Sequence, residues 1–283
     1  MEQFFSYNGK LFSAGTPVLS PSSPAFRFGD SLFETIRINF SQLMLFDLHL
    51  ERLFKGMLAL GFELPDFFTK EFLHSAIISL ARKNRVLDHG RVRLTVFRKE
   101  VGLKDSISSL PDWIIECSSL AEQYLQFNEN GYNVDIDFNN KKGTGPLSNI
   151  KTGNYLIYIL AAQFAKERKL NECLVLNNAG RIADSSIFNL FLISDGILST
   201  PSLEEAPIAG VMRRHLINHF RETGNPVKES PVTIEDVERA DEVFLTNALY
   251  GIRWVKSFRT TTYSNKMTRR IYSDLFQVNI PKE

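Results

Sequence analysis

Lys151 follows a run of Gly, Thr, Pro and Ser at positions 143–148 and directly precedes an apolar stretch. Burial disfavours an ammonium ion, so a partly buried lysine there would have an amine nucleophilic enough to form a Schiff base with a carbonyl. A solvated lysine beside a loop is the ordinary alternative. Gly210-Val211-Met212-Arg213 places glycine before a helix start, where ligands approach the backbone closely and the unpaired first-turn N–H groups suit a phosphate. Thr246-Asn247-Ala248 ends a strand-like run with hydroxyl and amide donors that either serve a phosphate or make a turn. Arg52 borders the apolar stripe of an amphipathic segment; it either snorkels to water or holds a phosphate with its planar fork. Asp184, between Ala183 and Ser185, either caps local backbone or keeps a ring nitrogen of a cofactor protonated, which makes that ring a better electron sink.

Other chemistries fit poorly. The chain has no GxSxG elbow, Walker A loop, GxGxxG after a strand, or HExxH. His215 and His219 stand four apart on a helical stretch but lack an evident third ligand, so no metal is expected. Cys117 and Cys173 form no CxxC and lie in apolar, strand-like surroundings, where cysteine behaves as a small buried hydrophobe.

The elements that must position these residues follow from pattern. Asn8-Gly9 marks a type I′ hairpin between residues 4–7 and 10–13. Residues 32–39 form a strand returning as 43–46, after which Asp47 caps a helix over 48–60. A second helix is expected over 69–84, and strands over 90–98 and 113–118. The apolar pattern weakens near 121–127, which sets a domain boundary: 1–120 and 121–283. Residues 139–148 read as a loop, and 154–169 as a helix apolar on most faces and therefore buried. Short strands follow at 173–176, 180–183, 189–193 and 197–200, then a helix over 210–223, a short helix over 234–239, a strand over 243–246 and a last helix over 267–276. The class is α+β.

The 283 residues carry a formal net charge of +1, with basic residues spread along the chain, so no nucleic-acid footprint is expected. The Lys141-Lys142 and Arg269-Arg270 pairs read as solvated surface. No apolar stretch approaches the ~18 residues a membrane span needs, and no basic-then-apolar leader opens the chain, so a cytoplasmic protein is the expectation.

Individually these signals are weak; in order they resemble a known family. The stretch FGDSLFETIR from Phe28 to Arg37, HLERL from His49 to Leu53, IKTGNYL from Ile150 to Leu156, NECLVL from Asn171 to Leu176 with Gly180 and SIFNLF from Ser186 to Phe191, AGVMR from Ala209 to Arg213, and ADEVFLTNA from Ala240 to Ala248 resemble the ordered motifs of class IV pyridoxal-phosphate enzymes, the aminotransferases and aminodeoxychorismate lyases. The resemblance implies a small α+β N-terminal domain, a larger C-terminal pseudo-barrel, pyridoxal 5'-phosphate between them, and a homodimer.

Carried over by position, the resemblance makes Lys151 the Schiff-base lysine and Arg52 the phosphate arginine. Val211 and Met212 supply backbone N–H groups to the phosphate, and Thr246 and Asn247 complete its cup. Asp184 stands where the family has glutamate, one methylene longer. Phe33 stands where some members have tyrosine, beside the substrate. Tyr155 lies near the tyrosine that branched-chain members set against the cofactor's phenolic oxygen. Arg98 begins the loop Arg98-Lys-Glu-Val-Gly-Leu103, which departs from the family's Arg-Gly-x-Gly, so its contact with a substrate carboxylate is in question. Three details resemble the lyase of folate biosynthesis, which makes 4-aminobenzoate and pyruvate from 4-amino-4-deoxychorismate: Met212-Arg213, Asn247-Ala248-Leu249, and Thr35, matching a threonine near the substrate. The alternatives are a branched-chain or D-amino acid aminotransferase, or a non-catalytic relative that retains the fold.

Overall fold

The computed structural model describes residues 3–100 and 108–276. Contacts divide the chain into two compact units, Met1–Glu122 with Ile150–Tyr155, and Gln123–Asn149 with Leu156–Glu283.

The first unit is a six-stranded sheet with helices on one face. Its elements are β1 (Phe4–Tyr7), β2 (Lys10–Ser13), α1 (Pro24–Phe28), β3 (Ser31–Asn39), β4 (Gln42–Leu43), α2 (Phe46–Ala59), α3 (Lys70–Lys83), β5 (His89–Arg98) and β6 (Pro111–Ser119), with sheet order β2-β1-β6-β5-β3-β4. The first hairpin turns on Asn8 (φ 49°) and Gly9 (φ 80°), the left-handed pair a type I′ turn requires. Strand alternation sends Leu32, Ile36 and Ile38 of β3 and Val92, Leu94 and Val96 of β5 to one face, where they pack with Leu50, Leu53 and Met57 of α2 and Leu73, Ile77 and Leu80 of α3. Asn84, ending α3, donates to the carbonyls of Phe4 and Cys117 and so ties the helix to β1 and β6.

Two local expectations are corrected here. The return strand stops at Leu43, and α2 begins at Phe46 with Leu45 at its N-cap in a left-handed conformation (φ 54°) and no side-chain cap. Asp47 therefore lies within the first turn, where its charge still favours the helix dipole. By contrast Thr69 caps α3 as its sequence suggests, accepting from the Phe72 N–H at 3.2 Å.

The second unit holds β7 (Tyr132–Lys142), α4 (Leu156–Glu167), β8 (Glu172–Asn177), β9 (Ile182–Ser185), β10 (Asn189–Ser194), β11 (Ile197–Pro201), α5 (Val211–Glu222), β12 (Lys228–Ser230), α6 (Ile234–Arg239), β13 (Glu242–Asn247), β14 (Gly251–Phe258), β15 (Thr261–Thr262) and α7 (Lys266–Phe276). The strands run β12-β11-β10-β13-β14-β7-β8-β9, with β15 on β14. The sheet curls until β9 lies close to β10 and β11, giving the pseudo-barrel. Buried Glu242 fastens α7 by accepting from the N–H groups of Met267 and Thr268 and from the Thr268 hydroxyl. Cys117 and Cys173 are both free and buried, and no described helix is long and apolar enough to cross a membrane.

Three more expectations change. Residues 139–142 are strand, because the end of β7 pairs in parallel with β8, Lys141 beside Leu176 and Lys142 beside Asn177, while only the start of β7 pairs with β14. Helix α4 is not buried all round: Leu156 is 65 % and Ile159 58 % exposed, while Tyr158, Ala161 and Ala165 face inward. Lys142 is buried, not a surface lysine.

Candidate active site

In the first unit the segment around Lys151 is laced to β3 as an extra short edge. The Phe33 N–H donates to the Lys151 carbonyl at 3.0 Å, the Gly153 N–H to the Ser31 carbonyl at 2.7 Å, and Leu32 and Thr152 form an antiparallel bridge. A Cβ at position 153 would lie 2.1 Å from Ser31 Oγ and 3.1 Å from the Gly29 carbonyl, so any side chain there would have to displace Ser31. This lacing delivers the Lys151 ammonium onto two aromatic rings, 4.3 Å from the centre of Phe33 and 4.7 Å from that of Tyr155, with Nζ donating to the Tyr155 hydroxyl at 3.2 Å. The two rings meet edge to face at 5.4 Å.

Phe33 carries a second cation, the guanidinium of Arg93, 3.8 Å from the ring centre. Burial, first of its causes, pushes the Arg93 pKa down, with Glu116 opposing and Arg91 assisting. Sequence alternation along β5, Arg91-Val92-Arg93-Leu94, carried the signal for this arginine, which shares the Phe33 ring with Lys151. Thr35 lies two residues beyond Phe33 on the same face of β3, opposite Arg93 in the ladder.

Arg52 is held on the other face of β3. Its Nε donates to Glu34 Oε1 at 2.8 Å and its Nη2 to Glu34 Oε2 at 2.5 Å, while His49 Nδ1 meets the same Oε2 at 2.5 Å. One turn after Arg52, Gly56 lets α2 press against Ile150: an added Cβ would sit 3.1 Å from Ile150 Cγ2. Residues four apart share a helix face, so Arg52 faces the Lys151 segment. Burial pushes the Glu34 carboxyl up, but the charges of Arg52 and then His49 outweigh it and hold it at about 2. His49 goes the other way: burial, together with Arg52 and Lys151, lowers its pKa against the pull of Glu34.

Arg98 stands apart. Its Nε donates to Asp30 at 2.6 Å, Nη1 to the Ser108 carbonyl and Nη2 to the Leu60 carbonyl, and its guanidinium lies over Phe62. Those donors serve protein acceptors, which explains its burial without a substrate carboxylate. The loop that follows, from Val101, lies outside the described residues.

In the second unit Asp184 of β9 is buried, and its Oδ2 accepts from the Tyr158 hydroxyl at 2.9 Å and the Ile208 N–H at 2.9 Å, with Lys142 Nζ at 3.6 Å. Sequence reading missed Lys142 and Tyr158 because both reach Asp184 only through tertiary pairing. Helix α5 opens after Gly210 with no side-chain cap, and Val211 and Met212 are its first residues. A Cβ at Gly210 would collide with Asn189 Oδ1 at 1.8 Å. The preceding loop is pinned by Asn149, donating to the carbonyls of Leu203 and Pro207, and by Asn189, donating to that of Ile208. Thr246 Oγ1 is buried with no hydrogen-bond partner among the described residues. Asn247 behaves differently: its Oδ1 accepts from the N–H groups of Leu249 and Tyr250, so its side chain builds the turn into β14.

Residues 31–258 match the family described as amino-transferase class IV. The chain belongs to that family. It is similar to the aminodeoxychorismate lyase of Bacillus subtilis, 27% identical over 248 residues, covering 87% of this chain and 83% of that protein. It is similar to the D-alanine aminotransferase of Listeria innocua, 24% identical over 255 residues, covering 87% and 84%. Among solved structures it shares the fold of the branched-chain amino acid aminotransferase of Escherichia coli, with TM-score 0.85 at 24% identity, covering 98% of this chain and 95% of that one. This class IV chain is thus an enzyme whose cofactor is pyridoxal 5'-phosphate. The residues present fit that group: an orphaned buried hydroxyl at Thr246, an uncapped helix start behind a glycine packed against Asn189, a lysine amine laid on aromatic rings, and a buried carboxylate.

A further buried acid gives this class IV fold a pH signature. Glu172 of β8 accepts from the N–H groups of Cys173 and Ser186, yet burial, with the charge of Asp184, pushes its carboxyl up from 4.5 to about 7. A carboxyl whose folded pKa exceeds its unfolded one contributes stability that is complete below the unfolded value and lost as pH rises through the folded one. Unfolding free energy should therefore fall between about pH 4.5 and 7, by roughly 3 kcal/mol at most. Glu172→Gln should flatten that slope in urea titrations across the window; an unchanged slope would assign it to other groups.

Proposed function

We propose that this chain is a 4-amino-4-deoxychorismate lyase, forming 4-aminobenzoate and pyruvate. The observation that carries the reading is the charge of the sheet face bearing Lys151. Arg37 pairs with Arg91 and Thr35 with Arg93 across β3 and β5, so three arginines stand on the face of Phe33, and two of them, Arg91 and Arg93, line a cavity of about 470 Å³ together with Phe5, Ile114 and Glu116. A substrate with two carboxylates suits such a face, whereas a branched aliphatic side chain calls for an apolar one.

Pyridoxal phosphate, when bound, supplies the sink for electrons released at the substrate. By the family resemblance Lys151 would hold it, the first turn of α5, Thr246 and Arg52 would receive its phosphate, and Asp184 would serve its ring nitrogen. In the lyase reaction Lys151 Nζ takes the ring proton of the substrate. The C–O bond to the enolpyruvyl group then breaks, that group gains a proton and leaves as pyruvate, and the remaining ring becomes aromatic. Tyr155, accepting from Nζ, orients the amine for this transfer, and the Thr35 hydroxyl stands on the substrate side of β3. The exposed Leu156 and Ile159 of α4 support a homodimer. A second reading, an aminotransferase, is favoured by Tyr155, whose hydroxyl lies 3.2 Å from Lys151 Nζ and which stands near the tyrosine that branched-chain members set against the cofactor's phenolic oxygen.

The test is the visible spectrum of the holoenzyme, followed by pyruvate release from 4-amino-4-deoxychorismate. The lyase reading expects the lysine-bound band to persist with L-glutamate, branched-chain amino acids and D-alanine, and pyruvate to appear with the chorismate derivative. Collapse of the band to the amine form of the cofactor with any of those donors would select the aminotransferase.

The phosphate assignment has its own test. Thr246→Val keeps the shape and removes a hydroxyl that no described protein group engages. One net hydrogen bond is about 1 kcal/mol, so pyridoxal phosphate affinity should fall roughly fivefold while the apo protein melts no lower. Unchanged affinity would remove Thr246 from the phosphate cup.

A further inference from the structure

Lys142 is a buried cation whose place in the fold needs a reason. It ends β7, opposite Asn177 of β8, and its ammonium donates to the Tyr158 hydroxyl and lies 3.6 Å from Asp184 Oδ2. Tyr158, itself 4 % exposed, passes the contact on by donating to the same Oδ2 at 2.9 Å. The Ile208 N–H adds a further donor to that oxygen. Burial pushes the Lys142 pKa down, and Asp184 opposes this by charge and hydrogen bond. An ammonium taken out of water costs several kcal/mol unless paired, and Asp184 is the carboxylate it meets. Around Asp184, then, stand Lys142 from β7, Tyr158 from α4 and Glu172 from β8, whose own carboxyl responds to the charge of Asp184.

This arrangement has a definite electrostatic sign. Two hydrogen-bond donors on one carboxylate oxygen, with a cation 3.6 Å away, stabilise negative charge on Asp184. The lysine also partly cancels the field that the carboxylate projects. A proton placed between Asp184 and a ring nitrogen is repelled by the Lys142 charge. Removing a cation from beside a proton site raises the proton affinity of that site.

We infer that Lys142, directly and through Tyr158, is a positioning residue for Asp184 that lowers the proton affinity of the pair formed by Asp184 and the cofactor ring nitrogen. The inference rests on the reading of Asp184 as the carboxylate facing that nitrogen. It also gives the aspartate at this position a logic: a short carboxylate is steered from behind by a tyrosine and a lysine, which fix one of its oxygens and set how strongly the pair binds its proton. The electron sink is thereby graded by the protein and not fully committed to the protonated ring.

The experiment is nitrogen NMR of holoenzyme reconstituted with pyridoxal phosphate labelled with ¹⁵N at the ring, titrated with pH. Lys142→Met is expected to move loss of the ring proton to higher pH by at least about one unit, a tenfold change in proton affinity. Tyr158→Phe should move it in the same direction by less, and Lys142→Arg, which keeps the charge, should leave it near wild type. A titration unmoved in both Lys142→Met and Tyr158→Phe, with only the apo melting temperature lowered, would overturn the inference and leave a structural ion pair. Asp184→Asn separates the two levels: if the ring-nitrogen signal ignores that change as well, the assignment of Asp184 to the ring has failed, and the role of Lys142 falls with it. If Asp184→Asn shifts the signal and neither Lys142→Met nor Tyr158→Phe does, only the role of Lys142 is lost.

Discussion

Lys151→Ala should reduce turnover by roughly 10⁴-fold or more, because one side chain is asked both to hold the cofactor and to carry the substrate proton. The visible band of the lysine-bound cofactor should vanish with it. The fold should survive the change. What fixes this segment is backbone: the Lys151 carbonyl accepts from Phe33, Gly153 donates to Ser31, and Thr152 bridges Leu32. The side chain contributes its contacts with Phe33 and Tyr155, which at a half-buried site are about 0.5–1 kcal/mol each. Melting temperature should therefore shift little while activity collapses, and that split distinguishes a chemical role from a packing one. Added methylamine should return a small fraction of the rate, since the missing function is a primary amine. Full turnover in the alanine variant would refute the proposed mechanism at its centre.

What the amino-acid pattern makes legible is local. Asn8-Gly9 announces the first hairpin because few residue pairs tolerate two consecutive left-handed conformations, and the structure places both there. Thr69 announces α3 because its hydroxyl can receive a first-turn N–H. Long-range pairings leave no such mark. Residues 139–142 are polar and precede a glycine, so they read as a loop, yet β8 recruits them into a parallel ladder with an irregular register after Ile136. Lys142 looks like half of a surface pair because the carboxylate that draws it inward belongs to another strand. The segment Ile150–Tyr155 belongs with the first unit, although the residues on either side of it belong with the second; composition cannot reveal that, since the cause is the edge of β3. Arg98 shows the limit of position-by-position transfer: Asp30, Leu60 and Ser108 take its donors, and none of them is implied by the residues around it. Arg93 is the opposite case, an alternation in β5 that places an arginine on the open face but says nothing of the lysine it will share a ring with.

Glu34→Gln should destabilise the apo protein by roughly 3–5 kcal/mol, the usual cost of deleting one member of a buried ion pair. Glu34 is fully enclosed between β3 and α2, and its carboxylate answers two groups at once, the guanidinium of Arg52 and the ring of His49. An amide can accept from one of them but turns an N–H₂ group towards the other. The pH dependence identifies the charge as the cause. Glu34 titrates at about 2 in the folded chain against 4.5 ordinarily, so its contribution is complete above the unfolded value and disappears as pH falls through the folded one. The gap in urea-unfolding free energy between the wild type and Glu34→Gln should be full at pH 6 and shrink steadily towards pH 2.5. A gap that stays constant across that range would mean Glu34 acts through shape alone. The same variant carries a consequence for binding. The Nε–Nη2 edge of Arg52 is set by Glu34, so loss of the carboxylate releases the guanidinium plane and should weaken pyridoxal phosphate affinity about tenfold beyond any effect of lower stability. Arg52→Lys should reproduce the weaker binding, because a point charge cannot take the two-toothed contact that orients the fork.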